Sequence, residues 1–480
     1  MAHSNTRPRC SSWIWGEEKI LFYSRPGSHY ISWHQSYGKV VKFFGPFGQP
    51  MLSITDPSAV SFILGKGTYL FPKPSGVRAW FSTLLGEGIL WVEGKDAHER
   101  QRRTLGPALS QQSAKNMTNI FYENAHRLVG QWSGIIERTS DRSETIDVTG
   151  WCGRLALDTI GRAAFSWDFG CLREDIHTST LAETMDSLTN HEHSRASFYM
   201  RALFWVFPSV LHLGKKGKTI RRIRKELGDI ARCILNDAKE VKDDSSKTVM
   251  SLMMRADKNT AFEDEEVAAQ MRTIISAGYE PVSAAMTWLL YEISTNIEWQ
   301  ERLRQEVSAC IEPSADELSS LPLLDAFLLE TLRCHPPVLE NHHEASETIA
   351  VPVTEPLPGI GSRHLIVPKG TILEMPVNVI HKDPAIWGDD ADVFRPERWL
   401  QDKSRKLTVR DLLAFSSGPR ACLGRSFALA EMKALALTLL QNFAFSCEED
   451  IEPFQSFVIR PRVKGQGISS LPLVVQALRR

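Results

Sequence analysis

The sequence predicts a mostly α-helical protein with small β-sheets. Apolar side chains recur at helical spacing from residue 94 to about 293, and the predicted helices lie near 97–108, 114–137, 147–165, 178–194, 217–241 and 264–295. Short strands bounded by turn residues are predicted at 40–44 and 51–54, and again near 348–353, 364–367 and 371–375. Because no repeat or linker separates these elements, we expect one domain over 37–480, preceded by an irregular segment, 1–36.

Composition excludes several classes of protein. The 480 residues carry a formal net charge of −1, so no overall basic field favours nucleic acid as a partner. The eight cysteines are scattered and form no C-x-x-C pair, which argues against zinc and against a disulfide scaffold. Residues 1–20 lack an apolar core, so they predict neither a signal peptide nor a membrane anchor. The chain is therefore expected either to be anchorless or to lack its true beginning.

The most informative stretch is 415–424, where one cysteine lies between two glycines directly before an apolar helical run. Five of its residues stand at defined spacings: Phe415, Gly418, Arg420, Cys422 and Gly424. Chance would place these residue types at these spacings in only about one chain in ten thousand of this length. A cysteine at the start of a helix is expected to favour its thiolate, which is a soft metal ligand. The glycines permit tight bends beside a flat partner. A buried structural cysteine is the alternative, but it does not explain this frame.

This segment resembles the haem-ligand loop of the cytochrome P450 superfamily, whose pattern Phe-x-x-Gly-x-Arg-x-Cys-x-Gly it matches at every fixed position. The resemblance is closer to fungal members of secondary metabolism than to bacterial ones. It implies that Cys422 is the axial thiolate of haem iron (heme b). It also implies a single-domain fold in which haem lies between the long helix at 264–295 and the helix that follows the cysteine loop.

Two further segments support this resemblance. Glu330 and Arg333 stand at i and i+3 among leucines, and with Arg398 they resemble a structural cluster on the haem side of the family fold. His98 and Arg102 stand one turn apart, and the resemblance implies that they bind the haem propionates together with Arg420. The alternative to propionate binding is that residues 98–103 form an ordinary basic helix exposed to solvent.

One position in this set departs from the family pattern. His343 stands where the family usually has another propionate-binding arginine. Because histidine is only partly charged at neutral pH, that contact is the weakest of the set.

The long predicted helix departs from the family at its centre. Relatives carry an acid followed by an alcohol beside the oxygen-binding side of the haem, whereas here Glu280 is followed by Pro281. We expect the 277–282 turn to open a groove, because proline removes a backbone hydrogen bond. The hypothesis is that a substrate hydroxyl or an ordered water replaces the missing alcohol and carries protons from Glu280.

The resemblance implies O2 activation at haem, with one oxygen atom entering a lipophilic substrate, for which a terpenoid-like secondary metabolite is expected. Electrons would come from NADPH through a separate cytochrome P450 reductase, which we expect near the cysteine face, where Arg425 and Lys433 add positive charge. By family position the substrate pocket would be lined by Phe81, Leu84, Leu90, Ile275, Ala277, Val338 and Phe457.

Location and function each leave alternatives open. An aromatic stretch, 197–207, and the basic run 215–225 can lie on an anionic membrane, or they can roof the pocket and form a solvated face. The resemblance implies the cytoplasmic side of the endoplasmic reticulum, although a chain without a predicted span can also be peripheral or soluble. Besides a monooxygenase, the sequence leaves a haem-dependent isomerase or dehydratase that does not use O2, and a non-catalytic protein that binds haem or a hydrophobic ligand.

Overall fold

The computed structural model describes residues 8, 10–173, 180–190, 194–240, 248–254, 262–310, 312–357, 361–400 and 407–478. The predicted class, mostly α-helical with small β-sheets, is confirmed. The first helices are α1 (Glu18–Tyr23), α2 (Ser28–Tyr37), α3 (Pro57–Leu64), α4 (Ser75–Leu84), α5 (Lys95–Leu105), α6 (Gln111–Asn116), α7 (Thr118–Ile136), α8 (Val148–Phe165), α9 (Thr180–Thr189), α10 (Arg195–Phe204), α11 (Gly214–Glu240) and α12 (Val249–Met254). The later helices are α13 (Asp264–Thr295), α14 (Ile297–Ser308), α15 (Ala315–Ser319), α16 (Pro322–Cys334), α17 (Val377–Ile380), α18 (Pro384–Trp387), α19 (Glu397–Leu400) and α20 (Arg425–Asn442).

The strands form four small sheets. They are β1 (Val40–Phe44), β2 (Pro50–Ile54), β3 (Ser143–Asp147), β4 (Glu340–Glu344), β5 (Ile349–Pro352), β6 (His364–Val367), β7 (Ile372–Pro376), β8 (Phe443–Ser446), β9 (Ile451–Gln455), β10 (Ile459–Val463) and β11 (Pro472–Ala477). The largest sheet has the order β1-β2-β7-β4, with β2 parallel to β7. A second sheet has the order β3-β11-β8, and β5–β6 and β9–β10 are two-stranded.

The amino-terminal segment is not irregular as predicted, because α1 and α2 lie within it. Tyr30 and Trp33 of α2 stand one turn apart and pack on Phe43 of the first sheet, so aromatic burial stabilises this helix. The helical spacing of these aromatic residues is the signal in the sequence that would have predicted α2. In the described ranges, every helix is too short or too polar to cross a lipid bilayer.

The long helix α13 runs through the main core and packs along α8. Small residues allow this close contact: a Cβ on Gly278 would lie 2.7 Å from Ile160, and one on Gly153 would lie 3.1 Å from Tyr279. Gly278 therefore faces α8. The groove that was predicted for the 277–282 turn is not found at Gly278, because Ile160 of α8 lies against it. Pro281 lies within the helix, which continues past it to Thr295.

The helix after the cysteine loop, α20, is buried along most of its length in the same core. Its apolar side chains join those of α7, α8, α13 and α16 in one continuous cluster. The helix that follows the cysteine loop therefore packs in the same core as the central helix α13, which agrees with the predicted fold.

Candidate functional site

The loop that carries Cys422 is fixed by its backbone. The Cys422 N–H donates to the carbonyl oxygen of Phe415 at 2.9 Å, and a short 3-10 turn, Gly418–Arg420, lies between them. Gly418 has a φ of +70°, and a Cβ there would overlap the carbonyl oxygen of Leu64 at the end of α3. Gly424 leaves ordinary space, since its Cβ would lie 3.9 Å from the Cys422 sulfur. The need for glycine at 418 thus comes from packing on α3.

The Cys422 thiol can be reached by solvent although protein atoms surround it on most sides. Burial raises the pKa of this thiol, and the Gly424 N–H and the charges of Arg102 and Arg425 lower it by less. The predicted preference for thiolate at a helix start is therefore outweighed by desolvation in the protein alone. Bound metal removes this obstacle, because a coordinating thiol is deprotonated.

Basic side chains from three separate segments lie beside the loop. Arg102 of α5 donates to the carbonyl oxygen of Ala421 at 2.8 Å, which joins α5 to the cysteine loop. Arg420 donates to Glu93 at 2.6 Å, and Lys73 donates to the other oxygen of that carboxylate at 3.0 Å. Sequence analysis did not identify Lys73 or Glu93, because no motif marks them and only the fold brings them to Arg420.

These cations are not neutralised by the side chains that pair with them. Arg420 and Lys73 share one carboxylate, and Arg102 makes no ion pair with any described residue. Burial and the charge of Arg420 lower the pKa of Lys73 to about 8. The Arg420 Nε is buried without a hydrogen-bond partner among the described residues. Three cations facing one carboxylate leave two positive charges, which suits the two propionates of haem.

The two histidines that were predicted to bind the haem propionates, His98 and His343, are both neutral at pH 7. Burial, followed by the charges of Arg420 and Arg102, lowers the pKa of His98 to about 4, and its Nδ1 lies 3.1 Å from the Tyr69 hydroxyl. His343 donates through Nδ1 to the carbonyl oxygen of Phe71 at 2.8 Å, since a carbonyl can only accept. Burial lowers the His343 pKa to about 4, so its Nε2 carries no proton to offer a propionate at neutral pH.

On α13, accessibility identifies the face that borders open space. Ala277 is exposed and Pro281 partly exposed, whereas most of their neighbours on this helix are buried. Ala277 therefore has an accessible side chain, and its place in the substrate pocket stays a prediction. Sequence analysis missed Ser276, whose hydroxyl is buried without a hydrogen-bond partner in the described part of the chain.

The other residues predicted to line the pocket divide into three groups. Ile275 is fully buried in the main core, and Leu84 is also buried there, so neither prediction of a lining position agrees with the structure. Helical spacing placed Ile275 on an apolar face of α13 but did not show whether that face contacts the core or a cavity. Phe81 and Leu90 are partly accessible. Val338 and Phe457 are exposed, and the Phe457 ring stacks on Trp80 at 6.0 Å.

Glu280 is held in a buried ion pair that the sequence did not reveal. Its carboxylate lies 2.9 Å from Nη2 of Arg460 on β10, and Arg460 also donates to Asp186 at 2.8 Å. Burial alone would lower the pKa of Arg460, but the charges of Glu280, Tyr279 and Asp186 raise it. An arginine at this distance favours the ionised carboxylate. Glu280 is therefore placed as a negative charge, and the hypothesis that it delivers protons requires it first to take up a proton against the charge of Arg460.

Glu330, Arg333 and Arg398 are in contact and fully buried. Arg333 donates to both oxygens of Glu330 at 2.8 and 2.9 Å, and Arg398 donates to one of them at 2.9 Å. The indole N–H of Trp399 also donates to Glu330 at 2.9 Å, a contact that sequence analysis missed. Arg398 also pairs with Asp390 at 3.3 Å, so two carboxylates face two guanidinium groups in the cluster that joins α16 to α19.

Two basic residues were expected on the cysteine face. Arg425 is partly exposed at the start of α20. Lys433 is buried and forms an ion pair with Asp325 at 2.8 Å, so the expectation that it contributes surface charge is wrong. It stands two helical turns into α20, where the helix faces the core.

Comparison with known proteins agrees with this geometry. The cytochrome P450 family matches residues 8–466 of the chain. Cytochrome P450 monooxygenase claQ of Ampulloclitocybe clavipes is 33% identical over 94% of this chain and 88% of the relative. Cytochrome P450 monooxygenase 205 of Postia placenta is 30% identical over 98% of this chain and 92% of its own length. Ganoderic acid synthetase of Ganoderma lucidum is 31% identical over 86% of this chain and 82% of its own length.

Haem and iron are implied by this family, and the thiol of Cys422 and the surplus of cations beside it suit such a group. With a match over nearly the whole length and relatives that are fungal monooxygenases, the chain belongs to the cytochrome P450 family.

Proposed function

We propose that the protein is a haem-thiolate monooxygenase that hydroxylates or otherwise oxidises a lipophilic small molecule. The observation that carries this proposal is the Cys422 loop, fixed by Phe415 and Leu64 and joined by Arg102 to α5. When bound through Cys422, haem supplies the oxygen chemistry. The protein's own residues then bind the propionates through Arg102, Arg420 and Lys73 and orient the substrate against Ala277.

The substrate is proposed to be a terpenoid-like secondary metabolite. Three residues predicted to line the pocket are apolar and accessible: Phe81 and Leu90 partly, and Ala277 on α13 fully. An apolar wall favours a substrate with little charge. A relative named for ganoderic acid synthesis supports the same class.

Electrons are proposed to come from NADPH through a separate cytochrome P450 reductase. Arg425 at the start of α20 and Arg103 on α5 are accessible basic groups close in sequence to the proposed haem ligands. Positive charge on this face would attract an acidic flavin domain. Lys433 takes no part, because it is buried against Asp325.

A peripheral site on the cytoplasmic face of the endoplasmic reticulum membrane is proposed for the folded protein. Trp13, Phe207 and Leu213 are 93, 56 and 63% exposed, and the Phe47 ring lies 5.9 Å from Phe207. The exposed lysines at the start of α11 follow directly after Leu213. Aromatic and apolar groups beside basic ones suit the interface of an anionic membrane.

A second candidate function follows from Pro281. Proline removes the alcohol beside the acid on α13, so a haem-dependent isomerase or dehydratase that does not use O2 is the alternative. The non-catalytic alternative, a protein that only binds haem or a hydrophobic ligand, leaves the buried Glu280–Arg460 pair without a role.

The carbon monoxide difference spectrum of the reduced protein tests the shared premise. We expect the band typical of a thiolate ligand, and its loss in Cys422→Ala. O2 and NADPH consumption with added reductase then separates the functions: consumption matched by an oxygenated product supports the monooxygenase, and turnover of substrate without O2 supports the alternative. Absence of a thiolate-type band from the intact protein would contradict both.

A further inference from the structure

A second group of ionisable side chains lies on the first sheet, outside the candidate haem site. Glu340 and His342 belong to β4, and Glu374 belongs to β7, where it stands opposite His342 in register. One donor atom from each residue lies within 4.8 Å of the others. We propose that these three side chains bind one divalent transition-metal ion, with Zn²⁺ as the best match.

The distances between the donor atoms support this proposal. His342 Nε2 lies 3.6 Å from a carboxylate oxygen of Glu340 and 3.7 Å from one of Glu374. Both distances are too long for a hydrogen bond. Two ligands of a tetrahedral zinc ion, each at about 2.0–2.1 Å from the metal, lie roughly 3.3 Å apart. Movements of a few tenths of an ångström would therefore bring His342 and either carboxylate to a common ion, and the donor atoms of Glu340 and Glu374 lie within 4.8 Å of each other.

The bonding of these groups gives independent support. Glu374 is 0% exposed, and its Oε2 accepts a hydrogen bond from the Tyr30 hydroxyl at 2.5 Å. Its Oε1 is buried and has no hydrogen-bond partner among the described residues. The His342 ring makes no hydrogen bond to any residue that the structure describes. A buried carboxylate oxygen without a partner is costly. The oxygen at 3.7 Å from His342 is Oε2, so a cation there would satisfy Oε1 by contacting both oxygens of the carboxylate.

The charges around the three donors are unbalanced. Arg201 lies 2.5 Å from Glu18 and 3.7 Å from Glu340, and within the described ranges it is the one cation of the group. Three carboxyl groups, those of Glu18, Glu340 and Glu374, therefore lie around one guanidinium, and a divalent ion would add positive charge where carboxyl groups are in excess.

The donor set selects among the common cations. One imidazole and two carboxylates suit Zn²⁺, which leaves its fourth position to water. Ca²⁺ requires six to eight oxygen ligands, and Mg²⁺ prefers an octahedron of oxygens, so three mixed donors serve neither. The scattered cysteines, which argued against zinc, bear only on thiolate sites. The side chains of His342 and Glu340 are 16 and 10% exposed, which gives an ion a route from solvent.

The position of the site gives it a structural consequence. The His342 ring lies 4.9 Å from the ring of Trp205, at the end of α10, and Tyr30 reaches Glu374 from α2. An ion at this point would therefore stabilise the contact of α2 and α10 with the first sheet. This role does not depend on haem or on the proposed reaction.

Metal analysis of the full-length, haem-loaded protein tests the site. The protein is treated with EDTA, incubated with ZnCl₂ or MgCl₂, and passed through a desalting column before zinc, magnesium and haem iron are measured. We expect about one zinc per chain in the unmodified protein. His342→Gln and Glu340→Gln should each lower retained zinc at least several-fold. His126→Gln removes a histidine from an exposed pair with Glu312 at 2.8 Å, and this control should retain zinc fully.

A second measurement keeps the test independent of folding defects. Zinc should raise the melting temperature of the unmodified protein and of His126→Gln, but not that of His342→Gln, whose haem content and circular dichroism confirm that it is folded. Failure of the unmodified protein to retain zinc would overturn the proposal. Equal retention by all variants, or retention of magnesium in place of zinc, would overturn it as well.

Discussion

Replacing Pro281 separates two effects that proline combines on α13. Proline cannot donate to the carbonyl oxygen of Ala277, and it also takes the position where relatives carry an alcohol. Pro281→Ala restores the backbone N–H alone, whereas Pro281→Thr restores the N–H and adds a hydroxyl. Pro281 is partly accessible, so either side chain has room. The alanine variant is therefore the matched control for the threonine variant.

The expected effect on stability follows from the position of Pro281 inside a 32-residue helix. Proline in a helix interior is about 3 kcal/mol less favourable than alanine, and threonine is less favourable than alanine by up to about 0.7 kcal/mol. Proline also restricts the unfolded chain, which offsets up to about 1 kcal/mol of this gain. We expect the free energy of unfolding to rise by about 2 kcal/mol in Pro281→Ala and by about 1 kcal/mol in Pro281→Thr.

The functional effect should separate the two variants. With reductase, NADPH and a turned-over substrate, hydrogen peroxide released per NADPH should fall several-fold in Pro281→Thr. Pro281→Ala should release as much peroxide as the unmodified protein, because it gains no hydroxyl. If both variants release equal amounts, or if Pro281→Thr leaves product yield per NADPH unchanged, the hypothesis that a substrate hydroxyl or water replaces the alcohol is wrong.

Three further predictions concern the charged groups. Glu330→Gln leaves Arg333 and Arg398 buried without this carboxylate, and chemical denaturation should show that the free energy of unfolding falls by about 3–5 kcal/mol. The control Glu397→Gln removes a partly exposed pair with Arg302 and should lower it by under about 1 kcal/mol. Arg102→Gln should lower the haem-to-protein ratio after gel filtration, whereas Arg103→Gln on the exposed side of α5 should not; equal ratios would contradict the proposed propionate site. Burial lowers the pKa of His381 to about 3, below the ordinary value of 6.5, so the unfolded chain takes up the proton first, and stability that is complete above pH 6.5 should fall as the pH drops toward 3. His98 and His343 act in the same direction, so His381→Gln should reduce this dependence only in part in denaturation curves measured across that range, and an unchanged slope would show that His381 does not contribute to it.

The cysteine loop and the Glu330 cluster could be predicted because their chemistry lies in short, continuous motifs. Phe415 to Gly424 spans ten residues, and the pair of Glu330 with Arg333 lies within one helical turn. The five strands that were predicted with residue ranges, β1, β2, β5, β6 and β7, agree with the structure to within one residue at each end, since turn residues flank them, whereas no ranges were predicted for the other six.

The parts that could not be predicted depend on contacts between distant segments. Arg460 reaches Glu280 across 180 positions, and Lys73 meets Arg420 only through Glu93. Periodicity gave an apolar face to Ile275 but could not tell the core from the cavity. The burial of Lys433 could not be predicted for the same reason. A lysine in an apolar helix can be buried when a partner such as Asp325 lies nearby, and only the fold shows that partner.

The central turn of α13 divides its contacts between two faces. Gly278 has no space for a side chain because Ile160 of α8 lies against it, while Ala277 and Pro281 face accessible space. Mutations at 277 and 281 should therefore change the proposed substrate cavity while the contact between α8 and α13 stays intact. Substitutions that change substrate preference among close relatives of this chain should consequently concentrate at positions 277 and 281. Glycine should be retained at 278, because a larger residue there would require α8 and α13 to repack.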